Sequence, residues 1–330
     1  MPTNIQDGSP KAFGAPTGLF KMLESVSCNL CRSKKAFFLS KVLISPIREV
    51  STLVKCRNCG LVYVNPRHPV KVEKEFYASA YHEAQKPEVW KEDRLPFFKK
   101  SIKKINSYAR SGDRALSAPG REKLLDIGCG MGFFLDLARK SGWEVKGVDI
   151  SDSAVAYGRE KLGLDIFKGE LKEGKFADRS FEVITSWNVL DQYYDPLGLA
   201  QETARLLKPD GMAFFRISNV HFHFPLHLIF KIVRKFFSGG QKLTEPTVFH
   251  IYMFSPRTVK KLLKQVGFKK VIVRNSPFTP VVDDVKRLVG KPLNRYVGLF
   301  LFVFIQIVFY LSLKRLILGP SLFVVARKHE

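Results

Sequence analysis

Two arrangements in this 330-residue chain have residue types and spacings that can do chemistry. The first is four cysteines in two pairs, Cys28-x-x-Cys31 and, after twenty-four intervening residues, Cys56-x-x-Cys59-Gly60. Each pair can grip a cation from a tight turn, and four thiolates at about 2.3 Å complete the tetrahedron of Zn²⁺. Such a site has no open position for water, so its zinc is expected to be structural. Arg32, Lys34, Lys35, Lys55 and Arg57 would offset the charge of four thiolates on one divalent ion. Buried free cysteines or a redox pair are the alternatives. The second arrangement is Asp126-x-Gly128-x-Gly130-x-Gly132. Residues of strand character, Leu124 to Ile127, run into the glycines and then into the helical pattern of Phe133, Phe134, Leu135, Leu137 and Ala138. Glycines suit a chain that reverses with positive φ and lets a ligand lie on bare backbone at a helix N-terminus.

The ligand class follows from the neighbours. A dinucleotide fingerprint places its third small residue at 133, where this chain has Phe133, so a pyrophosphate is disfavoured. Asp126, at the carboxyl end of the strand, suits a cationic ligand group better than a phosphate. A second strand, WEVKGVDIS over 143–151, ends in Asp149, about twenty residues past the loop, where an acid can accept both hydroxyls of a ribose. That feature supports a nucleoside without choosing among nucleosides.

The spacing D-x-G-x-G-x-G resembles motif I of the class I S-adenosylmethionine-dependent methyltransferases. The resemblance extends through the strand near Asp165, Ile166 and Phe167, FEVITSWNVL, ARLLKPDGMAFFRIS and HIYMFSPRTVKKLLKQVGF. It implies that Gly128, Gly130 and Gly132 lie under the amino acid part of S-adenosyl-L-methionine, with Asp126 beside it and Asp149 on the ribose. Gly169 and Glu170 would sit near the adenine or form a solvated loop. Ser186, Trp187 and Asn188 would face the methyl acceptor, with Trp187 stacking on a ring or packing. CRNCGLVYVNPR, 56–67, is similar to the zinc-binding domain that precedes the methyltransferase domain in sugar C-methyltransferases and their relatives. In one place the chain departs from the pattern. Many relatives carry Glu-His where this chain has Asp191-Gln192, ahead of the shared Asp195-Pro196. Alignment alone contributes up to roughly 7–11 kcal/mol, and a base adds about 10²–10⁴-fold, so Gln192 does not exclude catalysis. A base, where the reaction needs one, would come from Tyr193, His221, His223 or His250.

These residues have to be positioned by a larger frame. The chain reads as α/β: parallel strands at about 123–127, 144–148, 165–167, 181–186 and 211–218 alternate with helices, and 268–275 and 321–328 pair as an antiparallel hairpin. The expected fold is a doubly wound, seven-stranded Rossmann-like sheet with a small N-terminal zinc ribbon and apolar helical insertions. The expected organisation is a disordered tail at 1–25, the ribbon at 26–66, a helical lid and linker at 67–120, and the main domain at 121–330. Insertions interrupt that domain at 220–242 and 276–320. Tyr77 and Tyr81 in the lid resemble the family's aromatic pair over the cofactor, and core packing serves equally well for each.

Charge and hydrophobicity bear on partners. Lys and Arg number 54 against 30 Asp and Glu, a net charge of +24, which calls for an anionic partner: nucleic acid, anionic lipid or a phosphorylated substrate. No apolar signal core is visible in the first thirty residues, so a cytosolic or cytosolic-face location is expected. Five cysteines there argue against a disulfide framework. In VHFHFPLHLIFKIVRKFFSGGQK, 220–242, Leu226, Ile229, Phe230, Val233 and Phe237 share one helical face and Lys231, Arg234 and Lys235 mark another. That reads as a membrane-surface helix, with a substrate lid or core helix as the alternative. YVGLFLFVFIQIVFYLSL, 296–313, is long enough to cross a bilayer, with Gln306 its only strongly polar side chain. A single crossing would put the last two strands on opposite sides of the membrane, so the segment should enter and return, lie along one leaflet, or pack on protein. The leading expectation is a peripheral or monotopic methyltransferase acting on a sugar, isoprenoid or lipid-linked intermediate. An RNA-binding methyltransferase and a non-catalytic scaffold are the alternatives.

Overall fold

The computed structural model describes residues 23–44, 49–80, 87–110, 122–237, 249–276 and 317–328, together with residue 307. Its larger sheet has seven strands. β4 (Lys123–Ile127), β5 (Glu144–Asp149), β6 (Ile166–Lys168), β7 (Phe181–Trp187) and β8 (Leu207–Ser218) run parallel; β10 (Phe268–Asn275) and β11 (Ser321–Lys328) form an antiparallel hairpin. The spatial order is β10-β11-β8-β7-β4-β5-β6, so β11 slots antiparallel between β8 and β10. This is the doubly wound seven-stranded sheet expected, and the strand order reverses beside β4, where such sheets open a ligand crevice.

The central strands are apolar on both faces because helices cover both. On one face Leu124, Val183, Trp187, Phe214 and Phe323 pack against Phe97, Phe98, Ile102 and Ile105 of the helix Pro87–Arg110 and Phe134 of the helix Phe133–Lys140. On the other, Leu125, Ile127, Ile184, Phe215 and Leu322 meet the helices Pro196–Leu206 and Pro256–Gln265. Ser255 begins the last of these with a reciprocal Ser255/Thr258 capping box.

The second sheet is antiparallel and belongs to the cysteine ribbon: β1 (Ala36–Ile44), β2 (Glu49–Cys56) and β3 (Val62–Val64), joined by β9 (Tyr252–Met253) from the main domain. Cys28, Leu30, Leu61 and Tyr63 of the ribbon share one buried cluster with the main sheet. The ribbon is therefore fused to the larger domain rather than strung from it. Of the expected tail, 1–22 lie outside the described residues, while Glu24 already bridges to Arg67 through two backbone hydrogen bonds of 2.8 and 3.0 Å.

The lid region is helical over Val70–Glu75, continues as a π-helical turn over Phe76–Ala80 and resumes at Pro87. Tyr81 lies outside the described residues. The helix Val220–Phe237 forms over the segment where a membrane-surface helix was expected; of the expected apolar face, Ile229 is exposed and Leu226 and Phe230 are half-buried. His223 and His227 are buried, while Leu228, Ile229 and Ile232 face outward. Polar partners explain the choice: Ser40 shares a 2.9 Å hydrogen bond with His227, and the Pro320 carbonyl lies 3.0 Å from the His223 ring. The segment 296–313 lies outside the described residues except Ile307, and among the described residues no helix is long and apolar enough to cross a membrane.

Several contacts lock the ribbon onto the loop that follows β7. Asn29, buried in the first cysteine turn, donates from Nδ2 to Asp195 Oδ1 at 2.8 Å and accepts at Oδ1 from the Leu197 N–H at 2.9 Å. Asp195 itself caps the helix Pro196–Leu206 by accepting from the Gly198 N–H at 3.0 Å. The Arg67 guanidinium lies 3.6 Å from the Tyr194 ring centroid and donates to the Tyr252 hydroxyl at 2.8 Å, which donates on to the Tyr194 carbonyl at 3.1 Å. Removing one partner of a buried hydrogen bond costs about 1–3 kcal/mol, so Asn29→Asp, which sets two carboxylates against each other, should lower the urea midpoint by that order. Adding Asp195→Asn restores donor and acceptor in exchanged places, and the double variant should recover most of the loss. A double variant no more stable than Asn29→Asp would show that this pair does not join the domains.

Candidate active site

The glycine loop leaves β4 with three positive φ angles, 68° at Gly128, 54° at Gly130 and 81° at Gly132. A side chain at Gly128 would put Cβ 2.3 Å from Val189 Cγ2, and one at Gly132 would put it 2.4 Å from Leu164 Cδ1. The loop is thus pressed between the segments after β7 and before β6, leaving its backbone to whatever lies above it.

Asp149 ties this loop to its surroundings. Its Oδ2 accepts from the Gly130 N–H at 2.7 Å, its Oδ1 from the Ser151 N–H at 2.9 Å, and its carbonyl from the Gly169 N–H at 2.9 Å. Each carboxylate oxygen keeps a second acceptor site, which two neighbouring hydroxyls could use. Asp126 sits behind, 1% exposed, accepting the Thr185 hydroxyl at 2.6 Å. Burial pushes its carboxyl well above the ordinary carboxylate range; the Thr185 hydrogen bond opposes that shift, and the charge of Asp149 adds to it. A cation placed near this pair would relieve it. Gly169 follows β6 with φ 143°, and Glu170 is ion-paired with Lys74 of the helix Val70–Glu75.

The segment after β7 is held by contacts from several elements. Asn188 takes φ 59°, its N–H donating to the Arg216 carbonyl at 2.8 Å. Gln192 donates from Nε2 to the Asn188 carbonyl at 2.7 Å and accepts the Tyr77 hydroxyl at Oε1, so a lid side chain fixes its amide. Asp191, fully buried, accepts the Ser218 N–H at Oδ2 (2.7 Å) and the Tyr252 N–H at its carbonyl (3.0 Å). The acid is visible in the sequence, but its tie between β8 and β9 is a long-range contact with no local signal. The same holds for Asn29, Arg67 and Tyr252.

The remaining expected site residues are dispersed. Trp187 is enclosed by Phe97, Phe134 and Phe323, with ring centroids 5.2, 5.1 and 6.2 Å away, in the core beneath the helix Pro87–Arg110. Tyr193 packs on the opposite core; burial, with Glu170 and Asp195 nearby, pushes its phenol up to about 12. His221 is exposed at the start of the helix Val220–Phe237, its N–H donating to Asn219 Oδ1 at 3.1 Å, and its imidazole is shifted down by partial burial and by Lys55. His223 is pushed down to about 4 by burial, with His250 adding to the shift and the Pro320 carbonyl opposing it. His250, partly buried, follows Phe249, whose ring lies against both His223 and His227. The structure therefore gathers Asp126, the three glycines, Asp149 and Gly169 at one end of the sheet, joins Gln192 to the lid, and sets His221 and His223 on the helix beside the ribbon.

At the ribbon, the four thiol sulfurs of Cys28, Cys31, Cys56 and Cys59 lie within 4.8 Å of one another, with Cys28 and Cys59 at 3.4 Å and Cys31 and Cys56 at 3.5 Å. A tetrahedron of thiolates at 2.3 Å has edges of about 3.8 Å, so the donor set fits one such ion.

A family described as a methyltransferase domain matches residues 88–273. The ubiquinone biosynthesis O-methyltransferase of Neisseria meningitidis is 32% identical over 116 residues, 33% of this chain and 49% of that protein. The enzyme of the same name from Vibrio campbellii is 25% identical over 175 residues, 50% of this chain and 71% of that one. The chain spans about half the length of most curated relatives it matches. Among solved structures, a Haemonchus contortus phosphoethanolamine N-methyltransferase bound to S-adenosyl-L-methionine aligns at TM-score 0.48 and 18% identity, covering 82% of this chain and 63% of that one. An S-adenosylmethionine-dependent methyltransferase from Archaeoglobus fulgidus aligns at 0.44 and 18%, covering 73% and 98%.

Gly128→Ala should destabilise the protein through both the left-handed backbone, about 1–2 kcal/mol, and the Val189 clash. Adding Val189→Ala should return only the steric part, read as an incomplete recovery of the urea midpoint. A Gly128→Ala protein as stable as the parent would contradict the pressed geometry of the loop.

Proposed function

This chain belongs to the S-adenosylmethionine-dependent methyltransferases, and on that premise we propose that it methylates a sugar, isoprenoid or lipid-linked intermediate at the cytosolic face of a membrane, with a structural zinc in its ribbon. The observation that carries the enzymatic part is the buried carboxylate pair, Asp126 and Asp149, under a glycine loop that a Cβ would fill. The cofactor, when bound, supplies an electrophilic methyl group on a sulfonium. Gly128, Gly130 and Gly132 would lie under its amino acid part with Asp126 near the ammonium, Asp149 would take the ribose hydroxyls, and Gly169 would border the adenine.

The chain's own contribution is binding, orientation and exclusion of water. Gln192 cannot take a proton, but its amide is held by Tyr77 and Asn188, and its second N–H can orient an acceptor oxygen. Alignment of acceptor and methyl group is then the main source of rate. The O-methyltransferase name of the relatives favours a hydroxyl as the acceptor atom. The lipid-linked part of the reading is supported by the composition of 296–313 and by the charge of +24.

Two outcomes are expected. Binding of S-adenosylhomocysteine should release a proton from Asp126 at pH values below its raised value, because an ammonium favours the carboxylate form. Its affinity should therefore rise with pH through the raised Asp126 value, and calorimetry in buffers of different ionisation enthalpy should detect the release. The same raised value means the free protein holds a proton that the unfolded chain has lost, so its stability should fall as pH climbs from the ordinary carboxylate range to that value. Asp126→Asn should abolish both dependences. Absence of any binding, with Asp149→Ala making no difference, would sink the enzymatic reading. Metal analysis should find one zinc per chain, lost in Cys28→Ser with a drop in melting temperature; a metal-free protein of full stability would remove zinc from the account.

A further inference from the structure

Large apolar side chains exposed to water are unevenly placed. Among the described residues nine are exposed, and six lie on two touching elements: Phe37, Phe38 and Val50 on the β1–β2 hairpin, and Leu228, Ile229 and Ile232 on the helix Val220–Phe237. The helix is apolar on nearly every side, and it buries His223 and His227 while leaving Leu228, Ile229 and Ile232 exposed. At 3.6 residues per turn, Leu228, Ile229 and Ile232 share an arc opposite His227, and they are 41, 42 and 59% exposed while His227 is 1% exposed. Ser40 of β1 holds that histidine, and Lys231 reaches the same hydroxyl at 3.2 Å, so hairpin and helix meet side by side.

Charge completes the pattern. Among residues 26–44, 49–64 and 220–237 Glu49 is the one acid, whereas Arg32, Lys34, Lys35, Lys41, Lys55, Arg57 and Lys231 are all exposed there. Apolar side chains rimmed by seven cations, with a single acid in the hairpin strands, complement an anionic bilayer: the former enter the acyl boundary and the cations meet the headgroups. Nucleic acid would use the cations and the two phenylalanines but has no use for Val50, Leu228, Ile229 and Ile232, since bases stack on π faces.

We propose that the cysteine ribbon is a membrane-docking element, and that its β1–β2 hairpin and the outward face of the helix Val220–Phe237 together seat the enzyme on an anionic lipid surface. This rests on the membrane-peripheral reading above and assigns it to a definite face. It also gives the fused ribbon a purpose in the reaction. The docking helix begins next to Asn219, and the adjoining Ser218 is held by Asp191, the residue before Gln192, so the surface and the acceptor loop are connected by three residues. A lipid-linked acceptor would reach that loop from the bilayer beside it.

The test is flotation of the full, zinc-loaded chain with phosphatidylglycerol–phosphatidylcholine vesicles and with pure phosphatidylcholine. The parent should float with the anionic vesicles and dissociate with salt. The triple variants Phe37→Ser/Phe38→Ser/Val50→Ser and Leu228→Ser/Ile229→Ser/Ile232→Ser should each lose on the order of ten-fold in partition, with S-adenosylhomocysteine affinity and melting temperature unchanged. Lys34→Glu/Lys35→Glu, which alters only exposed charge, should weaken binding to anionic vesicles, and Val50→Trp should report burial by a blue shift quenched by brominated lipid. A ribbon triple that floats like the parent, or a Val50→Trp signal indifferent to vesicles, overturns the role of the ribbon while leaving a membrane enzyme anchored elsewhere. A parent that binds no vesicle overturns the peripheral reading with it, and salt-sensitive RNA retention without flotation would assign the face to nucleic acid. Cofactor binding is measured separately in every arm, so failure of docking is not confused with failure of the methyltransferase reading.

Discussion

Taking a carboxylate out of water costs several kcal/mol unless N–H groups or a cation replace its hydration, and this chain buries two near each other at the head of its main sheet. Asp149 is compensated: the N–H groups of Gly130 and Ser151 take its two oxygens. Asp126 is not, having one hydroxyl from Thr185 and the charge of Asp149 against it. Much of the local architecture follows from this difference. The loop must present N–H groups inward to satisfy Asp149, which demands the left-handed turns that glycine allows. On the proposed reading a cationic ligand would supply what Asp126 lacks, so binding and local electrostatic relief would be the same event and would favour a cationic nucleoside over an anionic one.

The ribbon belongs to the same argument because it shapes the other wall. The loop from Asn188 to Asp195 has no regular structure of its own. It is held at Gln192 by Tyr77, at Asp191 by Ser218 and Tyr252, at Tyr194 by Arg67, and at Asp195 by Asn29, which also takes the N–H of Leu197 in the first turn of the helix that follows. Several of these anchors come from the ribbon or from the strand it borrows. A loop of eight residues fixed at this many points would lose little further entropy on accepting a substrate, which is how preorganisation contributes to alignment. A cluster of four cysteines can in this way bear on the geometry of a loop that lies outside the ribbon.

What was legible in the sequence is what is local. The glycine loop, Asp149 at the end of the next strand and the seven strands are written in residues a few positions apart, where periodicity and turn chemistry act. The cysteine pairs are legible because each sits in a short C-x-x-C turn, and the structure brings the four sulfurs together. Contacts that cross the chain left no such mark: Asn29 meets Asp195 across 166 positions, and Tyr252–Met253 completes a sheet begun before residue 45. The helix Val220–Phe237 shows a different limit. It carries apolar residues on nearly every side, so its pattern does not choose a face, and the choice fell to Ser40 and Pro320, which supply hydrogen bonds for His227 and His223.

The environments of the proposed proton acceptors narrow the chemistry further. A phenol pushed up to about 12, like that of Tyr193, keeps its proton at neutral pH and is no base there. An imidazole pushed down to about 4, like that of His223, is free to accept but binds a proton weakly, and its Nε2 is already engaged with a carbonyl. Gln192 orients without accepting. An acceptor of ordinary alcohol acidity would therefore have to lose its proton after the methyl group has moved, to water or to the exposed His221, rather than to a base poised in advance. A more acidic hydroxyl, such as a phenol or enol, would arrive partly ionised and need no base at all. Of the acceptors proposed, one with an acidic hydroxyl would need only alignment by Gln192, whereas a simple sugar hydroxyl would need water or His221 to take its proton.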